Sequence, residues 1–299
     1  MKKKNLLILY YKFMNKIKYF FQFILILFFF IIFKLIGLNI SSYLSGKLFE
    51  IIGPFFRSKK IVNSNILKAF PNIETKTRKK IISNMWNNYG RVFSEYMFIK
   101  DYRNNLFNSH ITIEGREILD EIRKNNKPVI FVSGHFGNFE LMAMTIDKLG
   151  VKLSTIYRPL NNPFLNIIME KIRKNLICKN QIKKGISGLR EIIKLNKKGF
   201  STALMIDQRV SQGISINLFN HKAYTTTIPA QLNKKYGYPI IPLIIKRYNK
   251  VKFKIKIGEP ISFSKNSTQK EISEKLNDYL EKMILYNPEQ WIWSHNRWK

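Results

Sequence analysis

Hydrophobic and polar positions divide the chain into two unequal parts. Residues 19–33, "YFFQFILILFFFIIF", carry no charge, and the apolar character continues through Lys34 to Leu38. A twenty-residue helix rising 1.5 Å per residue covers about 30 Å, the thickness of a bilayer's hydrocarbon core. A membrane helix is therefore expected within residues 1–40. Lys34 lies near one end, where its aliphatic stem can carry the charge to the interface. The run is longer than the apolar part of a cleaved secretion signal, and no small-x-small site follows it closely, so a retained helix is expected. Lysines flank both sides: Lys2, Lys3, Lys4, Lys12, Lys16 and Lys18 before, and Lys47, Lys59 and Lys60 with Arg57 after. Charge asymmetry thus gives only a weak orientation for the expected transmembrane helix, and a helix that dips into one leaflet without crossing is the alternative.

Beyond residue 38 apolar residues return at helical or strand spacing. "SSYLSGKLFEIIGPFF" has helical spacing and meets a stop signal at Gly53-Pro54. Residues 60–99 are expected to form two helices broken at Pro71, and residues 112–126 a short strand and an amphipathic helix. From Pro128 onward two periods alternate. "PVIFVSG", "VKLSTIYRP", "FSTALMID", "YPIIPLIIKRY" and "VKFKIKIGEPI" have the length and composition of strands. "NFELMAMTIDKLG", "PFLNIIMEKIRKN", "GISGLREIIKLNKKG", "TTIPAQLNKKYG" and the long "STQKEISEKLNDYLEKMILYNP" read as helices. This alternation predicts an α/β domain with a largely parallel central sheet flanked by helices. There is no internal repeat or low-complexity linker. The expected organisation is an anchor helix over 1–40 and one catalytic domain over 41–299.

Charge changes this picture less than its size suggests. Lys and Arg number 52 against 19 Asp and Glu, a formal net charge of +33 over 299 residues. Such a field favours nucleic acid, anionic lipid, a phosphorylated substrate or an acidic carrier protein. The lysines are scattered through a chain also rich in Ile, Asn and Phe, so charge alone selects no ligand. No aromatic-basic segment of a recognised nucleic-acid reader is present, and nucleic acid is set aside. The single cysteine, Cys178 in "LICKNQI", excludes an internal disulfide framework. It has no candidate base near it in sequence and is not expected to be a nucleophile. No Cys/His cluster has zinc spacing, so no metal or cofactor is expected.

Candidate chemistry concentrates in "PVIFVSGHFGNFELMAM", residues 128–144. His135, one of four histidines, falls where a buried strand ends and a helix begins. Within one helix, residues five apart point about 140° away from each other, so His135 and Glu140 cannot pair on a helix face. With His135 in the turn and Glu140 in the first turns of the helix, the loop can bring imidazole and carboxylate together, Gly134 and Gly137 permitting the tight backbone. The carboxylate would fix the ring tautomer and stabilise the imidazolium. A histidine is matched to removing a hydroxyl proton at neutral pH. No protein nucleophile stands beside it, which points to direct activation of a substrate hydroxyl.

His-x4-Asp/Glu after an apolar strand resembles the glycerolipid acyltransferase motif. "SGHFGNFE" together with "YRPLNNP", "LMIDQR", "LFNHKAYTT" and "PEQWIWSHNRWK" is similar to the lipid A biosynthesis lauroyl/myristoyl acyltransferase family. The likeness extends to "NILKAFPNIE", "MWNNYGRVFSEY" and the N-terminal helix. It implies a glycerol-3-phosphate-acyltransferase-like domain that carries out a late acylation. A fatty acyl group passes from acyl carrier protein to a 3-hydroxyacyl chain of a Kdo-lipid A precursor, at the cytoplasmic face of the bacterial inner membrane. Another glycolipid acceptor, such as a phosphatidylinositol mannoside, is the alternative.

By position the resemblance makes His135 the general base and Glu140 its partner. It makes Arg158 the residue that binds a substrate phosphate or stabilises the thioester oxyanion. Asp207 would organise the site by holding Arg158 or Arg209, and Asn138 and Arg209 join the substrate-binding set. Trp291 and Trp293 either meet the membrane interface or cover the core. Asn220 departs from the pattern, since glycine is expected after Phe219.

Overall fold

The computed structural model describes residues 2–106 and 108–299, with side chains described from Phe13 onward apart from residue 108. The flanking Lys2, Lys3, Lys4 and Lys12 side chains lie outside the described residues. Helices α1 (Lys2–Ile36), α2 (Leu38–Phe56), α3 (Lys59–Ala69), α4 (Thr75–Glu95) and α5 (Ile99–Arg103) precede β1 (Ile111–Glu114) and α6 (Arg116–Asn125). Then come β2 (Ile130–Ser133), α7 (Phe139–Lys148), β3 (Leu153–Tyr157), α8 (Pro163–Ile172), β4 (Asn180–Lys183), α9 (Ile186–Asn196) and β5 (Ser201–Met205). A hairpin of β6 (Ile214–Leu218) and β7 (His221–Thr225) leads to α10 (Ile228–Tyr236), β8 (Ile240–Asn249), β9 (Lys252–Ile257) and α11 (Gln269–Tyr286).

Seven strands form one sheet in the order β1-β9-β8-β2-β5-β3-β4. Neighbours run parallel except β8 and β9, so the sheet is the largely parallel one expected. Each residue of β2 is buried, as a strand covered by helices on both faces must be. Its alternate side chains feed two cores. Ile130 and Val132 join α3, α4, α10 and α11, while Phe131 and the adjacent Val129 join α5, α6 and α7. Ser133 of β2 lies opposite Met205 of β5. The carboxyl ends of these central strands therefore open side by side, where open α/β sheets place their ligands.

Three local features depart from the sequence reading. Pro54 does not stop α2, which runs on to Phe56. A proline there forfeits one helical hydrogen bond and crowds the carbonyl four residues back, and the helix ends two residues later. Gly53 serves packing instead of termination, for an added Cβ would lie 2.4 Å from Cε3 of Trp86 on α4. Strand β4, in "KNQIK", is too polar to signal itself and forms by edge pairing with β3. In the β6–β7 hairpin Phe219 and Asn220 both have positive φ, 51° and 59°, the backbone of a two-residue turn of the primed type. Asn220 thus occupies the left-handed region that the expected glycine would take, as asparagine tolerates.

Helix α1 contains Phe13–Ile36, the one stretch among the described residues long and apolar enough to cross a membrane. Lys34, near the end of this stretch, is half-exposed and has a partner. It pairs with Asp101 at 2.5 Å and stands 4.7 Å above the Phe98 ring.

Candidate active site

The chain leaves β2 at Ser133 and turns at once over the end of β5. At Gly134 any Cβ would meet Phe136 at 2.7 Å and Asp207 Oδ2 at 3.2 Å, so only glycine allows the backbone this close. Asp207, two residues past β5, accepts from His135 twice: Oδ2 from the backbone N–H at 2.8 Å and Oδ1 from ring Nδ1 at 2.8 Å. The indole N–H of Trp291 donates to Oδ2 at 2.9 Å. Asp207 is fully buried. Burial pushes its pKa up, but the His135 charge and these donors outweigh that and hold it below the usual carboxylate value. For His135 burial pulls the pKa down, and the Asp207 carboxylate, with Glu140 behind it, more than restores it, leaving a net rise. An ionised carboxylate can only accept, so Nδ1 carries the proton and Nε2 is the basic nitrogen. Nε2 has no partner among the described residues.

Glu140 does not take the place expected for it. The first turn of α7 carries its carboxylate to Arg173, whose Nε and Nη2 donate to Oε1 at 2.9 and 2.5 Å. Arg173 begins a π-helical turn, Arg173–Ile177, that extends α8, a distortion common at functional positions. Burial lowers the guanidinium pKa, but Glu140 overrides this and raises it. Tyr96 is buried beside the pair. Its hydroxyl makes no hydrogen bond of good geometry, and burial together with the Glu140 charge pushes its pKa well up.

These groups form the polar end of a cavity of about 360 Å³, within the range of small-ligand sites. His135, Glu140, Arg173 and Tyr96 meet there with an apolar wall of Ile26 and Phe30 from α1, Phe49 from α2, Val92 and Phe93 from α4, and Leu165 and Met169 from α8. Helix α1 therefore supplies one wall of the cavity.

Behind the loop lies a second polar layer that the sequence reading missed. Arg247 of β8 and Glu95 of α4 form a buried pair with contacts of 2.5 and 3.0 Å. Asn138 donates to Glu95 at 3.1 Å and is itself buried, so it braces the loop. Asn88 joins Arg247 to the carbonyl of Gly137. Gln290 clamps both backbone groups of Arg247 at 2.8 and 2.7 Å.

The remaining candidate residues stand outside the cavity lining. Arg158 is exposed just past β3 and has no hydrogen-bond or ionic partner among the described residues. Arg209 does not reach Asp207. It donates to the Lys299 carbonyl at 3.0 Å and stacks 5.5 Å from the Tyr224 ring. Trp291 and Trp293 are buried and cover the core. His295 Nε2 accepts from the Arg209 backbone N–H at 3.0 Å. Cys178 is buried, and burial pushes its thiol up to about 12, so it stays protonated. Among the described residues no His/Cys/Asp/Glu group could hold a metal ion.

Comparison with known proteins agrees in coverage across the chain. The pattern of the family described as bacterial lipid A biosynthesis acyltransferase matches residues 11–299. A lipid A biosynthesis lauroyltransferase of Escherichia coli (strain K12) is 24% identical over 254 residues, 81% of this chain and 79% of the relative. A lipid A biosynthesis palmitoleoyltransferase of the same strain is 23% identical over 265 residues, 87% of this chain and 85% of the relative. Lipid A biosynthesis acyltransferase 2 of Shigella flexneri is 23% identical over 241 residues, 79% of this chain and 76% of the relative.

Proposed function

The chain belongs to the bacterial lipid A biosynthesis acyltransferase family, and from that membership we propose that it performs a late acylation of a Kdo-lipid A precursor. The acyl donor is acyl carrier protein, and the work is done at the cytoplasmic face of the inner membrane. The observation that carries this reading is His135, held at Nδ1 by Asp207, on the wall of an apolar cavity that the N-terminal helix helps to build.

The hydroxyl of the acceptor's 3-hydroxyacyl chain approaches Nε2 of His135. As the oxygen attacks the thioester carbonyl carbon, its proton passes to Nε2, and the imidazolium is stabilised by the buried carboxylate of Asp207. The negative charge that forms on the carbonyl oxygen requires nearby donors. Arg173, fixed by Glu140 at the cavity wall, is the guanidinium available inside, whereas Arg158 stands outside the lining, free to grip an acceptor phosphate. Collapse of the tetrahedral intermediate forms the ester and expels the carrier thiolate, which takes the proton from His135. No covalent acyl-enzyme is formed. Glu140 lies close enough to add to the charge that favours imidazolium.

The test is mass spectrometry of the acceptor lipid after incubation with mixed acyl carriers. His135→Ala is expected to lower transfer about 10²–10⁴-fold while membrane association persists. Transfer at the unsubstituted rate would remove the base assignment, and acylation of a different glycolipid alone would remove the acceptor.

A further inference from the structure

The helix with the length to cross a bilayer is bound to the domain at both ends of its apolar run. Tyr19, Phe23, Ile26, Phe30 and Phe33 recur at intervals of three and four and form the inward face. The carbonyl of Tyr19 accepts from Asn162 Nδ2 at 2.8 Å, and Phe23 lies 5.9 Å from the Phe164 ring. Phe30 and Phe33 flank Phe93 of α4 at 5.1 and 5.9 Å, and Lys34 pairs with Asp101. On the opposite face Phe21, Leu25, Phe28, Ile31 and Leu35 are exposed.

From Tyr19 to Lys34 the helix rises about 22 Å, most of the roughly 30 Å of hydrocarbon. If α1 stood upright with Lys34 and Asp101 at the headgroups, the loop attached at Tyr19 would be deep in the bilayer. That loop carries the exposed Arg158 and Asn161. Inverting the helix buries the Lys34–Asp101 pair and the Lys47–Glu50 pair of α2 instead. Hydrocarbon offers no partners to irregular backbone and disfavours charged side chains. Both ends of α1 carry polar protein with them and belong at one depth.

Helix α2 continues the same surface. Small residues, Ser41, Ser42, Ser45 and Gly46, face α4, while Ile40, Leu44, Ile51 and Phe55 are exposed. Phe49 of α2 meets Phe93 from the other side at 5.6 Å, so both helices wrap α4 and turn their apolar faces away from it. Exposed Lys16, Lys18, Lys47, Arg57 and Lys59 border the area, a charge pattern complementary to anionic headgroups.

We propose that α1 and α2 lie along one leaflet, their apolar faces among its acyl chains, so that α1 does not cross the membrane. Ile26 and Phe30 wall the cavity from the inner side of the same helix. A lipid chain then moves from the leaflet past α1 into the cavity within an apolar environment throughout.

Cys178 is buried, so new cysteines in the full-length chain report alone. Asn15→Cys and Asn39→Cys, both at exposed positions, bracket the apolar run. Sealed right-side-out and inverted membrane vesicles are treated with a membrane-impermeant maleimide. Both cysteines are expected to react in the same preparation, and reaction of one from each side overturns the proposal. Spin labels at Phe21→Cys, Phe28→Cys and Leu35→Cys supply a second measurement. Equal immersion depths are expected, whereas depths stepping by about 10 Å per label, the rise of seven residues, overturn it. Neither readout involves acyl transfer, so failure of the proposed reaction and failure of this placement are separate results.

Discussion

Asp207 holds His135 at two points, Oδ2 on the backbone N–H and Oδ1 on ring Nδ1, each at 2.8 Å. The sheet register produces this contact. Ser133 and Met205 end adjacent parallel strands opposite each other, so the residues two positions further on, His135 and Asp207, emerge side by side although 72 positions apart. The backbone contact sets where the ring begins and the ring contact sets which nitrogen is free.

Replacing that carboxylate separates position from charge. Asp207→Asn keeps the size but presents an amide, and the charge that stabilises imidazolium is lost. The acyl-transfer rate is expected to fall about 10²–10⁴-fold. The direct base must be neutral, so activity falls as pH drops through the His135 pKa. That pKa is raised by Asp207, so the acid limb of kcat/KM lies above the ordinary histidine value and moves to lower pH in the variant. Stability follows the same linkage. A histidine whose pKa rises on folding stabilises the fold below its unfolded value and loses that contribution as pH climbs through the raised one. The depressed Asp207 contributes above its unfolded value and loses this as pH falls through the folded one. A pH profile of kcat/KM that is identical in both proteins would refute the assignment.

How far this site was legible depended on what lies near in sequence. His135 is visible because a rare histidine ends an apolar strand, and Asp207 because "FSTALMID" ends the same way. Their pairing was hidden, since strand order is a non-local property and Glu140 offered a carboxylate only five positions off. Two strands ending in complementary groups were the available signal. Arg173 fell inside a predicted helix as one basic residue among several, and its pairing with Glu140, 33 positions away, left no local mark. The inward stripe of α1 was equally hidden, because a uniformly apolar run shows no face until Phe93 and Phe164 pack against it. The alternation of strands and helices, by contrast, needed only local period.

The Glu140–Arg173 pair is buried enough for one partner alone to be costly; the side chains are 8% and 15% exposed. Arg173→Met leaves a carboxylate without its cation and is expected to destabilise the protein by about 3–5 kcal/mol. Glu140→Leu combined with Arg173→Met removes both charges and is expected to recover most of that loss. Thermal unfolding in detergent measures both. Activity is expected to stay low in the double variant, because the cavity has lost its guanidinium. Recovery of transfer together with stability would limit the pair to a structural role.

Arg158 is exposed and partnerless among the described residues, so Arg158→Ala is expected to change stability by less than about 0.5 kcal/mol. Its kinetic effect tells its two possible roles apart. A phosphate grip used equally in ground and transition states raises KM for the acceptor with kcat unchanged, whereas an oxyanion contact lowers kcat and kcat/KM together. Its position outside the cavity lining predicts the first outcome. A fall in kcat with KM constant would place the guanidinium at the thioester.

Acyl selection is expected to reside in the apolar wall. Leu165 of α8 and Val92 of α4 line the cavity and bring no charge or hydrogen-bonding side chain to it. Leu165→Trp adds an indole to a space of about 360 Å³, shortening what it can hold. A methylene that no longer fits costs about 1–3 kcal/mol of transition-state binding, about 10–200-fold in kcat/KM. With a mixture of acyl carriers offered in competition, the product is expected to shift to shorter chains while the rate with the shorter donor is kept. Catalysis is expected to survive because the His135–Asp207 contact does not involve α8 and Arg173 lies about two helical turns past Leu165, in the π-helical extension. An unchanged product distribution in an active variant would mean that the acyl chain lodges elsewhere.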